Sequence, residues 1–293
     1  MNATTPVHVI GASGRSGLAL CRALLAEGVP VVPVVRNPAR WAEAGLGIAP
    51  RVANLADPAA LARALGDAAR VASCAHARHA PAILAAAPAD ARFVFLGSTR
   101  KFTRWPDAHG NGVLAGEAAF LRSGRAGVML HPTMIYGAEG EDNVQRLAAL
   151  LRRLPCVPLP GGGRALVQPI HQGDVTRSIQ AALRLAWTGP EALVIAGPSS
   201  LPYADFVRAV ARAAGLKPPR ILPIPAPLLM AAAPLTRLLP LLPAIRTTEI
   251  RRLLEDKAFD ITPMITRLGV RSHPLAEGLA QTFDRHAGLA SPT

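Results

Sequence analysis

Residues 7–25 read VHVIGASGRSGLALCRALL, and this stretch decides the fold. Its apolar start predicts a buried strand, and its later apolar periodicity predicts a helix that ends at Gly28. Between the two lie three glycines in a G-x-x-G-x-x-G spacing: Gly11, Gly14 and Gly17. Glycine permits positive φ and lets a phosphate approach the backbone, and the helix that follows offers free N–H groups to that anion. The stretch therefore predicts a dinucleotide-binding turn, against the alternative of a tight turn without a ligand.

The second predicted strand ends in a base instead of an acid. Residues 31–40 read VVPVVRNPAR, which puts Arg36 where dinucleotide folds carry an acid that holds the ribose 2′-hydroxyl of NAD(H). A guanidinium binds a 2′-phosphate, whereas a carboxylate repels it. Ser13 and Arg15 in the glycine turn add further contacts. The pattern favours NADP(H) over NAD(H); the alternative is that Arg36 is a solvated surface side chain.

Strands and helices alternate through the first half of the chain. Predicted strands cover residues 7–12, 29–36, 50–54, 70–76, 92–99 and 126–137, and predicted helices cover residues 16–27, 57–67, 79–89 and 115–124. This order indicates an α/β fold, a doubly wound parallel sheet of the Rossmann type with both faces buried.

Beyond residue 150 the regular alternation of strands and helices ends. Further helices are predicted at residues 144–154, 175–187, 203–215 and 247–257, with one more strand at 192–197. We expect an NADP-binding Rossmann core at residues 1–155, with returning elements at about 166–197. Residues 198–293 are expected to form a smaller, mostly helical C-terminal lobe for substrate or for interaction with other molecules.

Composition narrows the classes of partner. The 293 residues carry a net charge of +13, but the arginines are scattered without basic blocks, so we predict no nucleic-acid binding. The three cysteines fit neither a disulfide framework nor a metal spacing, which predicts a reduced cytoplasmic protein without a metal site. The apolar segment at residues 222–245 holds too many prolines for a membrane span. Packing on the protein and peripheral contact with a membrane or lipid are its two open alternatives.

Several segments match one family in order along most of the chain. They are GASGRSG at 11–17, VANLADPAAL at 52–61, CAHA at 74–77, FLGST at 95–99, HPTMIYG at 131–137 and LVQPIHQGDV at 166–175. Together they resemble the atypical branch of the extended short-chain dehydrogenase/reductase superfamily, which includes nucleotide-sugar epimerases and NmrA-like proteins. The resemblance implies a possible homodimer, and it implies that the cofactor site extends beyond the glycine turn and Arg36 to Asn54, Leu55, Cys74, Ala75, His76, Lys101 and His131.

One departure from the family pattern bears on the chemistry. The superfamily's Tyr-x-x-x-Lys pair precedes a helical glutamate, and, anchored on Glu117, the pair falls on His109 and Val113. Either another group exchanges the proton at the substrate oxygen, or no hydride chemistry occurs. The candidates for catalysis are Ser98, which stands where the family carries its hydroxyl residue, and His109, which exchanges protons near neutral pH.

Two classes of function remain open. The first is an NADP(H)-dependent oxidoreductase or epimerase-like enzyme that acts on a carbonyl or hydroxyl of a sugar-like or lipid-linked small molecule. The second is an NADP(H)-binding regulator or accessory subunit without turnover. The substitution of the Tyr/Lys pair favours the second class, and the complete set of loops with a substrate lobe favours the first.

Overall fold

The computed structural model describes residues 5–137, 143–232 and 247–287. Its strands are β1 Val7–Ile10, β2 Val31–Val35, β3 Arg51–Val52, β4 Arg70–Ser73, β5 Arg92–Leu96, β6 Gly127–Pro132, β7 Ile135–Tyr136, β8 Cys156–Pro160, β9 Leu166–Val167, β10 Ile170–His171, β11 Pro190–Ile195, β12 Leu201–Pro202 and β13 Arg220–Ile224. Its helices are α1 Arg15–Ala26, α2 Pro38–Ala42, α3 Pro58–Leu65, α4 Ala80–Ala86, α5 Ala108–Arg122, α6 Asn143–Leu151, α7 Gln172–Arg184, α8 Tyr203–Ala213, α9 Ala226–Ala232, α10 Thr247–Arg252, α11 Thr262–Leu268 and α12 Leu275–Ala287.

A seven-stranded sheet forms the centre of the molecule. Its strand order is β3-β2-β1-β4-β5-β6-β11, and every pairing within it is parallel. The order reverses between β1 and β4, whose carboxyl ends therefore border a crevice, which is where open α/β sheets bind ligands. The predicted doubly wound parallel sheet is confirmed.

Helices bury both faces of this sheet. On one face α1, α7 and α11 pack against the strands through a cluster that includes Leu20, Ile179 and Met264. On the other face α3, α4 and α5 pack through a cluster that includes Leu61 and Phe120. Because both faces are covered, the strands are continuous apolar runs, as the sequence pattern indicated.

A second, smaller core lies beside the sheet. Its buried side chains come from α6, β8, α8 and α12, among them Val144, Phe206 and Leu279. β8 pairs in parallel with β13, which joins residues near 156 to residues near 220. Residues that precede β11 along the chain and residues that follow it therefore both contribute to this smaller core.

Buried polar groups tie the last part of the chain to α7. Asp174 is fully buried, and its carboxylate accepts a hydrogen bond from the backbone N–H of His273 at 2.9 Å and contacts Nδ1 of the same residue at 2.6 Å. Arg177, one turn further along α7, also pairs with this carboxylate. The Arg177 guanidinium donates to the backbone oxygen of Arg271 at 2.8 Å.

Two predicted helices differ most from the structure in their bounds. The helix predicted at 115–124 begins at Ala108, because Asp107 caps it by accepting the N–H of Gly110 at 2.8 Å. The sequence pattern did not indicate these first two turns, because they contain Gly110 and Gly112 and glycine is a poor helix former. The helix predicted at 247–257 ends at Arg252, and Glu255 instead bonds to the loop after β5.

Only part of the apolar segment at 222–245 is described. It contributes the end of β13 and the helix α9, while its leucines at 238, 239, 241 and 242 lie outside the described residues. Leu222 and Leu228 are exposed. Within the described residues, none of the helices combines the length and the apolar character that crossing a bilayer requires.

Candidate functional site

The glycine turn joins β1 to α1 and is closely packed. Gly11 has a φ of +74°, which favours glycine, and Gly14 is the N-cap of α1. A Cβ on Gly17 would lie 2.2 Å from the backbone oxygen of Gly11, so no larger residue fits there. The N-cap of α1 provides no side-chain acceptor for the first-turn N–H groups, and the N-terminal end of a helix favours an anion. This arrangement fits a dinucleotide pyrophosphate.

A cavity of about 340 Å³ opens beside this turn at the ends of β1 and β2. It is lined by Ile10, Gly11, Ser13, Val34, Arg36, Asn37, Arg40, Ala53, Asn54, Leu55, Arg78 and His79. Three of these residues are arginines, and none is acidic. The structure thus brings together Gly11, Ser13, Arg36, Asn54 and Leu55 from the predicted cofactor site. Arg15 is exposed on the first turn of α1 and is not part of the lining.

The end of β4 approaches the glycine turn from the other side. A Cβ on Gly11 would lie 3.2 Å from the backbone nitrogen of Ala75 and 3.3 Å from the carbonyl carbon of Cys74. Cys74 and Ala75 therefore border the turn through their backbone. Burial raises the pKa of the Cys74 thiol, which keeps it protonated at neutral pH.

His76 and His109 form a pair of imidazoles next to this strand end. Their rings meet edge to face, with centroids 4.4 Å apart. The backbone N–H of Arg78 donates to Nδ1 of His76 at 3.1 Å, which places the ring proton on Nε2. Nε2 of His76 is buried and has no hydrogen-bond partner among the described residues.

The position of this pair depends on two glycines of α5. A Cβ on Gly112 would lie 2.9 Å from Cε1 of His76, and a Cβ on Gly116 would lie 2.0 Å from the backbone oxygen of Ala77. The loop after β4 therefore rests directly on α5, with His76 against its first turns. Glycine is unfavourable in an isolated helix, but it is required at these two positions because His76 and Ala77 pack closely against the helix backbone.

His109 lies between two groups of cations. Partial burial lowers its pKa, and the charges of Arg100, Arg252 and Arg78 lower it further, while Asp107 acts in the opposite direction. Arg78 lines the cavity beside the glycine turn. Arg100 and Arg252 line a second cavity, described next, and His109 itself lines neither. Its imidazole is held neutral at pH 7.

Ser98 lines that second cavity, of about 380 Å³. The cavity lies between the loop after β5 and the residues that follow α10, and it is lined by Ser98, Thr99, Arg100, Phe102, Thr103, Arg104, Thr133, Met134, Asn143, Arg252, Glu255, Asp256, Lys257 and Phe259. The hydroxyl oxygen of Ser98 accepts the backbone N–H of Arg100 at 3.1 Å. The backbone N–H of Ser98 donates to Nδ1 of His131 at 3.1 Å.

Lys101 and His131 lie behind Ser98 and not in either cavity lining. Both contact the carboxylate of Glu117: Nζ of Lys101 is 2.6 Å from Oε1, and Nε2 of His131 is 3.0 Å from Oε2. His131 is only 1% exposed. Burial alone would raise the pKa of Glu117, but hydrogen bonds from His131 and Lys101, together with the positive charge of Lys101, lower it to about 2. These two predicted cofactor residues therefore contact Ser98 and Glu117 and line neither cavity.

Sequence reasoning missed much of the second cavity. Its residues 252–259 come from a segment more than 150 positions after Ser98, and no local motif marks them. Arg78 and His79 were also missed, although they follow the CAHA segment directly. Within the described part of the chain, no group of His, Cys, Asp or Glu is arranged to hold a metal ion.

Comparison with known proteins agrees with this geometry. Residues 11–116 match the model of a family described as NAD(P)H-binding. None of the curated proteins compared with the chain matches its sequence. Solved structures do match over nearly the whole chain.

Three of these structures show the range of activities and bound ligands among the matches. A UDP-glucose 4-epimerase from Thermotoga maritima, solved with UDP-glucose, has a TM-score of 0.75 at 15% identity and covers 98% of this chain and 100% of its own. The NADPH-dependent quinone oxidoreductase QOR2 from Escherichia coli, solved with NADPH, has a TM-score of 0.73 at 18% identity and covers 94% of this chain and 99% of its own. A short-chain dehydrogenase/reductase superfamily protein from Agrobacterium tumefaciens, with bound NAD, has a TM-score of 0.70 at 16% identity and covers 97% of this chain and 98% of its own.

The chain therefore has the short-chain dehydrogenase/reductase fold, with an NAD(P)H-binding domain at residues 11–116. This confirms the resemblance drawn from the motifs. Val113, on which the motif spacing places the family's lysine, is buried in the core beneath α5, at 1% exposed. The Val113 side chain lines neither of the two cavities.

Proposed function

We propose that the protein binds NADP(H) and acts as an oxidoreductase or epimerase-like enzyme on a carbonyl or hydroxyl group of a small molecule, sugar-like or lipid-linked. The observation that carries the proposal is the cluster of Arg36, Arg40 and Arg78 around the cavity next to the glycine turn. Structural neighbours that bind NAD or NADPH support a dinucleotide in this place. The second cavity, with Ser98 at its edge, then receives the substrate.

The preference for NADP(H) over NAD(H) follows from charge. A 2′-phosphate adds negative charge near the adenosine ribose, and guanidinium groups bind phosphate through paired hydrogen bonds. Among the described residues, no carboxylate lines this cavity to favour a free 2′-hydroxyl. The backbone of Gly11, Gly14 and Gly17 would hold the pyrophosphate, and the loop at Cys74 and Ala75 would lie along the middle of the cofactor.

The nicotinamide, when bound, donates or accepts a hydride. The chain's own residues orient the substrate and handle the proton. The hydroxyl of Ser98 is fixed as an acceptor from Arg100 N–H, so its own hydrogen is available for a substrate oxygen at the cavity. His109 is neutral at pH 7, with His76 packed against its ring, and because it lines neither cavity it would take up the substrate's proton through an intervening water or side chain.

Turnover on a substrate panel tests this function. Purified protein would be incubated with NADPH or NADP⁺ and with nucleotide sugars, quinones and aldehydes, and nicotinamide absorbance and product isomers would be followed. We expect turnover that falls by about two orders of magnitude in Ser98→Ala and His109→Ala, in line with loss of acid–base assistance. Arg122→Gln, at the opposite end of α5, is the matched control and should retain full rate.

A second function is favoured by the buried Val113. If no substrate turns over while NADPH binds tightly, the protein is an NADP(H)-binding regulator or accessory subunit. The replacement of the family's lysine by a core valine and of its tyrosine by His109 supports this alternative. The substrate panel therefore decides between catalysis and binding alone.

A further inference from the structure

The second cavity is rich in positive charge. Its lining includes the basic residues Arg100, Arg104, Arg252 and Lys257. The acidic residues of the lining are Glu255 and Asp256. The balance of charge that faces a ligand depends on which of these groups already have partners in the protein.

Both carboxylates of the lining are used by the protein itself. Glu255 is 7% exposed and accepts the hydroxyl hydrogen of Thr103 at 2.9 Å as well as the backbone N–H of Arg104. Asp256 accepts the backbone N–H of Leu166 at 2.8 Å. These bonds fix the segment after α10 onto the neighbouring loops. Because these donors are uncharged, both carboxylates keep their negative charge, and the four basic residues of the lining exceed them by two.

The cations are less completely paired. Asp107 binds Arg100 directly, but Arg252 lies 3.7 Å from the same carboxylate, at the outer limit of an ion pair. Lys257 donates to the backbone oxygen of Arg252 at 3.2 Å and meets no carboxylate within ion-pair distance among the described residues. Arg252 and Lys257 thus present positive charge to the cavity.

The same cavity has an exposed aromatic wall. Phe102 is 53% exposed, and its ring centroid lies 5.5 Å from that of Phe259, with the planes tilted by 40°. Met134 completes this apolar side. Exposed aromatic rings next to convergent cations provide two kinds of contact to one ligand, a flat apolar surface and an anion site.

We propose that this cavity binds a substrate that carries a phosphate or carboxylate on a planar or apolar body. Arg252 and Lys257 bind the anionic group, and Phe102 with Phe259 packs against the body. The inference rests on the proposed function, because it names the substrate class of the same enzyme. It adds that a neutral substrate binds more weakly than an anionic one of equal size.

Calorimetric titration with defined probes tests the inference. The probes are phenyl phosphate, inorganic phosphate and the uncharged benzyl alcohol, added to the full chain saturated with NADPH. We expect saturable binding of phenyl phosphate, weaker binding of inorganic phosphate, and no measurable binding of benzyl alcohol. Uridine monophosphate and decyl phosphate then distinguish a nucleotide from a lipid-like body.

Variants separate the two contacts. Arg252→Gln and Lys257→Gln should each weaken phenyl phosphate at least about tenfold, as expected for loss of one charge-assisted contact. Phe102→Ser should weaken phenyl phosphate but leave inorganic phosphate unchanged. Arg122→Gln, a charge removed at the far end of α5, is the control. Thermal unfolding of each variant verifies that it is folded.

The outcomes also separate this inference from the proposed function. Normal NADPH binding without saturable binding of any anionic probe overturns the inference alone. Equal losses of affinity for phenyl phosphate in Arg122→Gln and Arg252→Gln overturn it as well, because the net charge of the protein would then explain the binding. Absence of NADPH binding in the wild type overturns the proposed function, whatever the probes do.

Discussion

The ammonium of Lys101 lies 2.6 Å from Oε1 of Glu117, and this ion pair stands directly behind Ser98. His131 joins it, since one ring nitrogen faces Glu117 and the other accepts the backbone N–H of Ser98. A Cβ on Gly97 would lie 2.3 Å from Nδ1 of His131, so the imidazole is pressed against the chain at the end of β5. The cluster fixes the backbone from which Ser98 faces the cavity.

Removal of the Glu117 carboxylate should destabilise the protein. Glu117→Gln leaves Lys101 and His131 with no anion between them, and we expect a loss of about 2 kcal/mol in the free energy of unfolding, somewhat below the cost of breaking a fully buried pair. Urea unfolding measures it. Glu43→Gln, an exposed glutamate on the surface, should change stability by less than about 0.5 kcal/mol.

The same cluster predicts a pH dependence. Because the folded state lowers the pKa of Glu117 from 4.5 to about 2, its carboxylate contributes stability that is fully present above pH 4.5 and is lost as pH falls toward 2. The wild type should therefore lose more stability than Glu117→Gln between pH 5 and pH 3. If the free energy of unfolding falls equally in the two proteins between these pH values, Glu117 is not ionised as described.

Gly17 should tolerate no side chain. In Gly17→Ala the added Cβ would meet the backbone oxygen of Gly11 at 2.2 Å, so the glycine turn must shift. We expect loss of NADPH binding together with a lower melting temperature. Gly189→Ala is the matched control, because a Cβ there meets nothing within 4 Å. An alanine at position 17 that binds NADPH like wild type would contradict the packing of the turn.

Two aspartate–arginine pairs with the same helical spacing should differ in energy. Asp174 pairs with Arg177 inside the protein, where the aspartate side chain is 0% exposed, whereas Asp205 pairs with Arg208 with its side chain 52% exposed. We expect Asp174→Asn to cost about 3 kcal/mol and Asp205→Asn less than about 0.5 kcal/mol. Chemical denaturation measures both. Comparable costs would show that Asp174 does not anchor the segment at His273.

The sequence predicted the sheet well and the second cavity poorly, for a physical reason. The strands of the core are short apolar runs with helices between them, and capping residues such as Asp57 mark helix starts locally. The Rossmann cofactor turn is also local, because Gly11 to Gly17 are contiguous. By contrast, Glu255 meets Thr103 across more than 150 residues, and nothing in either neighbourhood signals the contact.

Helix α5 shows a second limit of pattern reading. Its first two turns contain Gly110 and Gly112, which lower helix propensity, and the residues that pack closely on them, Arg100 and His76, lie elsewhere in the chain. The local sequence therefore indicated a loop around His109 where the structure has a capped helix. The pairing of His109 with His76 follows from this tertiary contact.

The central claim is that the basic cavity at the end of β2 prefers a dinucleotide with a 2′-phosphate. The most direct test is the dissociation constant of the purified protein for NADPH and for NADH, in wild type and in Arg36→Gln, with Arg122→Gln as control. We expect the wild type to bind NADPH at least about tenfold more tightly, and Arg36→Gln to lose most of that difference while its affinity for NADH stays unchanged. Equal affinity of the wild type for both dinucleotides, or no binding of either, would contradict the claim.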